Sequence, residues 1–218
     1  CSVRRQRQMC IRDSPKCLST SFDVVNPRLQ VCLLCGGDSR RMGRDKALLP
    51  HPDGGVWLTA VVDQLLALER PIQVVSRHQA HADQLAHCSQ VHVLLEPPPW
   101  NGPLNALARV LPSTPGQALL VLPVDMPRLR ADILRELIMA WETRPDRIAV
   151  AHDGERLQPL LAVIPSGAPF QTTLIEQLNA GQWRWLDWLD RLPLQAVRLP
   201  SDALLNANRP EDLAALSP

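Results

Sequence analysis

A glycine-rich segment at residues 35–46 has the composition of a phosphate-binding loop. It reads Cys-Gly-Gly-Asp-Ser-Arg-Arg-Met-Gly-Arg-Asp-Lys. Gly36, Gly37 and Gly43 let the backbone turn sharply and bring its N–H groups close to phosphate oxygens. Arg41 and Lys46 add positive charge where a triphosphate needs neutralising, which makes both candidate catalytic residues. An ordinary flexible loop is the alternative, but the apolar run before the glycines and the two basic residues favour a triphosphate site.

The loop differs from the two commonest phosphate-binding motifs. It lacks the Gly-Lys-Ser/Thr ending of a Walker loop, and its glycines do not follow the Gly-x-Gly-x-x-Gly spacing of the dinucleotide fingerprint. The loop by itself therefore predicts a triphosphate site without indicating which base is bound.

Asp125 is a candidate metal ligand. It stands just beyond residues 118–122, the most strongly apolar run of the chain, which predicts a buried strand. Ligands bind outside the carboxyl ends of strands in open α/β sheets, and Mg²⁺ prefers oxygen ligands. A carboxylate at this position is well placed to hold Mg²⁺ against triphosphate oxygens. The alternative is an N-cap for the helix expected after Pro127, and Asp125 taken alone does not decide between them.

Apolar periodicity predicts alternating strands and helices that can position these residues. The predicted strands cover residues 29–34, 72–75, 91–95, 118–122, 148–150 and 160–164. The predicted helices cover residues 58–68, 79–87, 101–110, 129–141, 174–178, 185–192 and 211–216. A turn at Asp153-Gly154 joins the last two strands. This order predicts a three-layer, Rossmann-like α/β fold with a mostly parallel sheet and helices on both faces.

Composition and charge narrow the class of protein. A chain of 218 residues suits one α/β domain, and a net charge of +1 argues against a broad nucleic-acid-binding surface. No apolar run is long enough for a membrane span, and the first residues lack an apolar signal-peptide core. Six cysteines, at positions 1, 10, 17, 32, 35 and 88, are too sparse for a disulfide scaffold. We therefore expect a cytoplasmic protein with reduced thiols.

Residues 1–28 differ in character from the rest of the chain. They are rich in arginine and show no hydrophobic period. We expect a disordered or spurious extension, with Met9 as an alternative start, and a single folded domain over residues 29–218. A functional basic arm is the alternative.

The ordered motifs together resemble those of the MobA-like nucleotidyltransferases, and within that group those of the molybdenum cofactor guanylyltransferases. Residues 34–46 are similar to the family pattern Leu-Ala-Gly-Gly-x-Ser-x-Arg-Met-Gly-x-Asp-Lys. Further motifs follow in the family's order over roughly residues 30–216: Arg77-His78-Gln79, Gly102-Pro103-Leu104, Pro123-Val-Asp125-Met-Pro127, His152-Asp-Gly-Glu155 with Gln158-Pro159, and Asn206-Ala-Asn208-Arg-Pro-Glu-Asp-Leu213. The resemblance implies the nucleotide-diphosphosugar-transferase type of fold.

The resemblance also implies a reaction. Members of the family transfer GMP from GTP to molybdenum-bound molybdopterin, forming molybdopterin guanine dinucleotide and releasing pyrophosphate. Mg²⁺ would be the cofactor, and GTP and molybdenum-molybdopterin the substrates. Other molybdenum cofactor biosynthesis proteins and molybdoenzymes would be partners, without nucleic acid or membrane.

The matching motifs assign roles to residues of this chain. The nucleotide side would comprise Leu34, Cys35, Gly36, Gly37, Lys46, Ser76, Glu96, Gly102 and Asp125. The pterin side would comprise Gln158, Asn206 and Asn208. Lys46, Arg41 and Asp125 would be catalytic, with Asp125 as the metal ligand.

Three positions depart from the family pattern. Cys35 replaces the usual Ala, which a backbone contact should tolerate. Pro97 stands where the family has an Asp that contacts the nucleotide, so that either Glu96 substitutes for it or the proline-rich loop is reshaped. The family's Asn near the end of the second strand falls on Val74 or Ser76.

The first departure leaves the phosphate site intact, whereas the other two concern the base. The alternatives are therefore a related enzyme that uses CTP, or one with a sugar-phosphate acceptor. A nucleotide- or cofactor-binding partner of molybdoenzymes without catalysis is a third.

Other clusters have simpler explanations. His78, His81, His87, Cys88 and His92 suggest a zinc site, but only His78 and His81 can share a helix face, and a polar helix surface accounts for the set.

Cys32 and Cys35 form a Cys-x-x-Cys whose side chains should point to opposite faces of the strand. Trp183, Trp185 and Trp188 could stack on a pterin or base, but core packing is predicted for at least one of them.

Overall fold

The computed structural model describes residues 29–37, 45–52, 54–207 and 212. The strands in these ranges are β1 (Leu29–Leu34), β2 (Ile72–Ser76), β3 (Val91–Leu95), β4 (Ala118–Pro123), β5 (Ile148–His152), β6 (Leu157–Pro165) and β7 (Leu194–Arg198). The α-helices are α1 (Trp57–Leu66), α2 (Gln79–Leu85), α3 (Pro103–Val110), α4 (Ala131–Thr143), α5 (Phe170–Asn179) and α6 (Trp185–Leu189). A short 3₁₀ turn covers Lys46–Leu48.

These strands form one seven-stranded sheet with the order β3-β2-β1-β4-β6-β5-β7. All neighbours pair in parallel except β6, which runs antiparallel to both β4 and β5. The antiparallel step follows from the short turn after β5, where the Asp153 N–H donates to the Arg156 carbonyl at 3.1 Å. The predicted α/β class with a mostly parallel sheet is confirmed.

The helices cover both faces of the sheet. Val31 and Leu33 of β1 belong to an apolar layer that contains α1 and α4, whereas Cys32 between them belongs to a layer with α3, α5 and α6. Successive strand residues point to opposite faces. A central strand covered on both faces is therefore expected to be largely apolar, and this explains the run from Val31 to Leu34 that predicted β1.

The predicted elements differ from the structure mainly towards the C-terminus. The strand β7 was missed: it lies at the sheet edge, and its side chains are only partly buried or exposed, so it lacks a long apolar run. The helix predicted at 174–178 is the second half of α5, and the helix predicted at 185–192 ends at Leu189. The expected extension at 1–28 and closing helix at 211–216 lie outside the described residues, apart from Asp212.

None of the helices in the described ranges is long and apolar enough to cross a membrane.

Candidate active site

The carboxyl ends of β1 and β4 lie side by side in the middle of the sheet. The chain leaves β1 towards β2 on one side and leaves β4 towards β5 and β6 on the other. A reversal of this kind is a topological switch point, where open α/β sheets bind their ligands. The ladder continues past both strand ends, because the Val124 N–H donates to the Leu34 carbonyl at 3.2 Å and the Cys35 N–H to the Val75 carbonyl at 2.8 Å. These bonds fix the start of the glycine-rich loop.

Gly36 and Gly37 leave space beside the backbone at the start of the loop. A Cβ atom on Gly37 would meet nothing within 4 Å, and one on Gly36 would lie 3.4 Å from Glu96 Oε2. Neither glycine adopts a positive φ. The absence of a side chain therefore matters here for close approach of a ligand to the backbone and not for backbone strain. Residues 38–44, with the predicted Arg41 and Gly43, lie outside the described ranges.

Lys46 and Asp125, predicted separately, meet at this edge of the sheet. Lys46 Nζ lies 3.7 Å from Asp125 Oδ2. The same ammonium group donates to the carbonyl of Ala207, whose own N–H donates to the Asp125 carbonyl at 2.9 Å. The loop after β1, the segment after β4 and the C-terminal segment therefore converge on one pair of opposite charges, in which Lys46 is buried and Asp125 is partly exposed.

Burial dominates the electrostatics of this pair. It lowers the pKa of Lys46, although the negative charge of Asp125 opposes the shift. It raises the pKa of Asp125, although the positive charge of Lys46 opposes that shift. The charge of each side chain thus favours the charged form of the other and offsets part of the effect of burial.

Asp125 has a carboxylate oxygen available for a metal ion. Its Oδ1 atom is buried and has no hydrogen-bond partner among the described residues. A carboxylate oxygen is the type of ligand that Mg²⁺ prefers, together with substrate phosphates and water, so the residue fits a magnesium ion. The alternative role as a helix cap is excluded, since α4 begins only at Ala131 and is preceded by Arg130.

Glu96 borders the glycine-rich loop from β3. Its Oε1 atom lies 3.7 Å from Arg109 Nε, and its Oε2 atom faces the Gly36 backbone. Burial raises the pKa of Glu96, while the charges of Arg109 and Arg77 oppose the shift.

The proline-rich loop after Glu96 folds back on this residue. Trp100 Nε1 donates to the Glu96 carbonyl at 3.0 Å, and the Arg77 guanidinium lies 5.3 Å from the centre of the Trp100 ring. Pro97 thus follows a carboxylate that faces the loop, which favours Glu96 as the substitute for the family's Asp.

Ser76 and Gly102 lie at the same edge of the sheet. The Ser76 hydroxyl is fully buried and hydrogen-bonded within the protein, which places it behind the binding surface. Gly102 precedes α3 with a φ of 94°, a conformation that favours glycine. Because α3 leads from the carboxyl end of β3 to the amino end of β4, the positive end of its dipole lies on the site's side.

The predicted pterin-side residues form a polar group beside Ala207. Gln158 Nε2 donates to Asp153 Oδ2 at 2.8 Å, and Asn206 Nδ2 lies 3.4 Å from Gln158 Oε1. Backbone N–H groups of Arg156 and Glu155 lower the pKa of Asp153 to about 2, so this carboxylate is an anchor for the turn. Asn206 precedes Ala207 in the chain and thereby connects this group to Lys46. Asn208 lies outside the described residues.

His81 does not lie on a polar helix surface as predicted; its side chain is fully buried and contacts Asp45. The structure contains no cluster of three or more His, Cys, Asp or Glu side chains arranged around a metal in the ranges that it describes.

The remaining predictions concern the core. Trp185 and Trp188 are buried there, whereas Trp183 is exposed. Cys32 and Cys35 lie in opposite apolar layers as free thiols, and burial raises the pKa of Cys32 to about 12.

The fold has three layers, a glycine-rich loop after its first strand and a lysine–aspartate pair at the switch point. These features define a nucleotide-binding domain of the nucleotidyltransferase type. The family model described as the MobA-like NTP transferase domain matches residues 31–192. The chain belongs to this family.

Similar proteins agree with this assignment. A protein of Rhodopirellula baltica named "Probable molybdenum cofactor guanylyltransferase" is 37% identical over 194 residues, covering 86% of this chain and 90% of that protein. A molybdenum cofactor guanylyltransferase of Pseudomonas syringae pv. syringae is 31% identical, covering 88% and 94%. The solved structure of molybdopterin-guanine dinucleotide biosynthesis protein A from Archaeoglobus fulgidus has the same fold, with a TM-score of 0.65, 20% identity and coverage of 85% and 95%.

Proposed function

We propose that this protein transfers GMP from GTP to molybdenum-bound molybdopterin and releases pyrophosphate. The observation that carries the proposal is the Lys46–Asp125 pair at the switch point, joined through Ala207 to the Gln158–Asn206 group. This arrangement offers two adjacent sites, one for a triphosphate and one for an acceptor. The names of the relatives identify the acceptor as the molybdenum cofactor.

The reaction is an in-line displacement at the α-phosphorus. A phosphate oxygen of the acceptor forms a bond to that phosphorus, and the bond to the β-phosphate oxygen breaks, so that pyrophosphate leaves. No covalent intermediate with the protein is needed, and positioning and charge neutralisation therefore account for the catalysis. The Gly36 and Gly37 backbone holds the triphosphate, and the Lys46 ammonium neutralises the charge that develops on it.

Mg²⁺ is the proposed cofactor, with Asp125 as its ligand from the protein. When bound, the ion would supply further neutralisation of the phosphate oxygens. Arg41 belongs to the proposed catalytic set by its motif.

The remaining residues divide between the two substrates. Leu34, Cys35, Glu96 and Gly102 are assigned to the nucleoside side, with Ser76 supporting them from behind. Gln158, Asn206 and Asn208 are assigned to the pterin side. A cytoplasmic location, and contacts with molybdoenzymes that receive the product, belong to the same proposal.

The choice of nucleotide and acceptor is tested by pyrophosphate release. With Mg²⁺ and molybdenum-loaded molybdopterin, we expect release from GTP and little from CTP, since the relatives are guanylyltransferases. A sugar phosphate in place of the pterin serves as the acceptor control and should give no release. Turnover with CTP but not GTP would contradict the guanine assignment, and turnover with the sugar phosphate would contradict the acceptor.

A change of Glu96 to glutamine tests the nucleoside side. Because Glu96 faces Gly36 as a carboxylate, Glu96→Gln should raise the KM for GTP by about tenfold, the cost of weakening one charged hydrogen bond, and change kcat much less. Initial rates at varied GTP concentration measure both constants. The control is Glu142→Gln, which makes the same change on an exposed residue near the C-terminal end of α4. An unchanged KM in the Glu96 variant would remove this residue from the binding surface.

A further inference from the structure

A line of three polar side chains, Ser76, His81 and Asp45, runs behind the proposed phosphate site; Ser76 and His81 are fully buried, and Asp45 is partly exposed. His81 on α2 is fully buried, and its Nδ1 atom lies 2.7 Å from Ser76 Oγ at the end of β2. Its Nε2 atom lies 2.9 Å from Asp45 Oδ2, an electrostatic contact in which the ring N–H is not aligned with that oxygen. Asp45 directly precedes Lys46 in the chain.

The two contacts of the His81 ring favour one tautomer. A carboxylate only accepts hydrogen bonds, so Asp45 Oδ2 beside Nε2 favours the tautomer in which Nδ1 accepts the Ser76 hydroxyl, whose oxygen also accepts the backbone N–H of His78 at 3.0 Å. The hydrogen of the neutral ring then resides on Nε2, on the side that faces the Asp45 carboxylate.

The Ser76–His81–Asp45 group is not a nucleophilic triad, although it contains the same three residue types. The Ser76 side chain is fully buried, so no substrate can reach its oxygen. The group must therefore act through what it holds in place.

The Ser76–His81–Asp45 group connects the segments that follow β1, β2 and β3, which carry proposed site residues. The second oxygen of Asp45, Oδ1, accepts the Ala47 N–H at 3.1 Å and thereby caps the 3₁₀ turn that begins with Lys46. At the other end, the carbonyl of Ser76 accepts the Glu96 N–H at 2.7 Å. One imidazole thus links the phosphate side, at Lys46, to the nucleoside side, at Glu96.

We infer that His81 is a positioning residue for nucleotidyl transfer, holding Asp45 so that the Lys46 ammonium stays aligned with the triphosphate. The inference rests on the proposed function. His81 touches neither substrate and acts only through the Asp45–Lys46 segment. Displacement of a charged group by about 1 Å is enough to cost on the order of 100-fold in rate.

Two substitutions of His81 separate its two contacts. In His81→Asn, the shorter amide can still accept the Ser76 hydroxyl at the Nδ1 position but cannot reach Asp45. In His81→Gln, the longer amide can still place its N–H₂ group beside Asp45, near the Nε2 position. We expect His81→Asn to lower kcat/KM for GTP by at least about tenfold and His81→Gln to remain within about threefold of the native value.

Asp45→Asn provides a second variant, which changes the partner of His81 and leaves the His81 side chain itself in place. Its amide oxygen can still cap the turn at Ala47, but its N–H₂ group would face the His81 Nε2–H. This variant should match His81→Asn, and the double variant should lose no more than either single one, because the two changes remove the same contact. His87→Asn, on an exposed histidine after α2, is the matched control.

Binding of Mg²⁺-tripolyphosphate, measured by calorimetry, gives a readout that needs no acceptor. His81→Asn and Asp45→Asn should weaken it by about tenfold, and His81→Gln should not. Thermal unfolding identifies any loss that reflects folding alone. Equal effects of the two His81 variants, or a native-like Asp45→Asn, would overturn the inference.

The inference and the proposed function can fail separately. If the native protein bound tripolyphosphate but transferred no GMP, the proposed function would be wrong while the same variants still tested His81. If the native protein bound neither tripolyphosphate nor GTP, both would be overturned.

Discussion

Asp125→Ala is expected to abolish most turnover while leaving much of the GTP affinity in place. The substitution removes the carboxylate proposed to hold Mg²⁺ but leaves Lys46 and the glycine backbone to bind the triphosphate. A metal ion contributes several kcal/mol of transition-state stabilisation, so kcat should fall on the order of 1,000-fold. Single-turnover rates and GTP binding by calorimetry measure the two effects independently.

Asp125→Asn separates the charge of Asp125 from its shape. It keeps an oxygen at the same place, so we expect residual activity that requires a higher Mg²⁺ concentration for its half-maximal rate. Asp63→Ala removes a carboxylate from the exposed side of α1 and should leave kcat unchanged. If Asp125→Ala retained native turnover, the residue would have no part in the mechanism.

The sequence predicted the central part of the fold because that part is apolar on both faces. The bounds of β1 and β3 agree with the predicted ones, and β2 and β4 each extend one residue further. The edge strand β7 was not predicted, since an edge strand needs apolar side chains on only part of its surface. In the candidate site, Lys46 and Asp125 were singled out because each lies in a motif, and the structure brings them together, while their roles stay predictions.

Two contacts of the site could not be predicted from the sequence. The Ala207 carbonyl bonds to Lys46 through the backbone, and a backbone group carries no signal in the side-chain pattern. His81 was assigned to a polar surface because its helix contains few apolar residues. Its partner Asp45 lies on a different loop, and only the packing of α2 against the sheet brings the two together.

The position of Lys46 favours a lysine over an arginine. The chain contains only two lysines, Lys16 and Lys46, among 23 basic residues, and the other 21 are arginines. Lys46 is 9% exposed and shares its pocket with Asp125 and the Ala207 carbonyl. A compact ammonium group fits between a carboxylate, a carbonyl and a phosphate, whereas a planar guanidinium needs more room and a fixed geometry.

Lys46→Met is therefore expected to lower kcat/KM for GTP by about 100- to 1,000-fold, because it removes a buried positive charge from the proposed phosphate site while keeping an unbranched side chain only one atom shorter. Lys46→Arg should rescue little of this loss, although it restores the charge. The control is Arg144→Met just after α4. This residue lies near the amino end of β5, whereas the site lies at the carboxyl ends of the parallel strands. Steady-state rates and tripolyphosphate binding should fall together in both Lys46 variants. Full activity of Lys46→Arg would mean that only the charge matters, and full activity of Lys46→Met would place the triphosphate elsewhere.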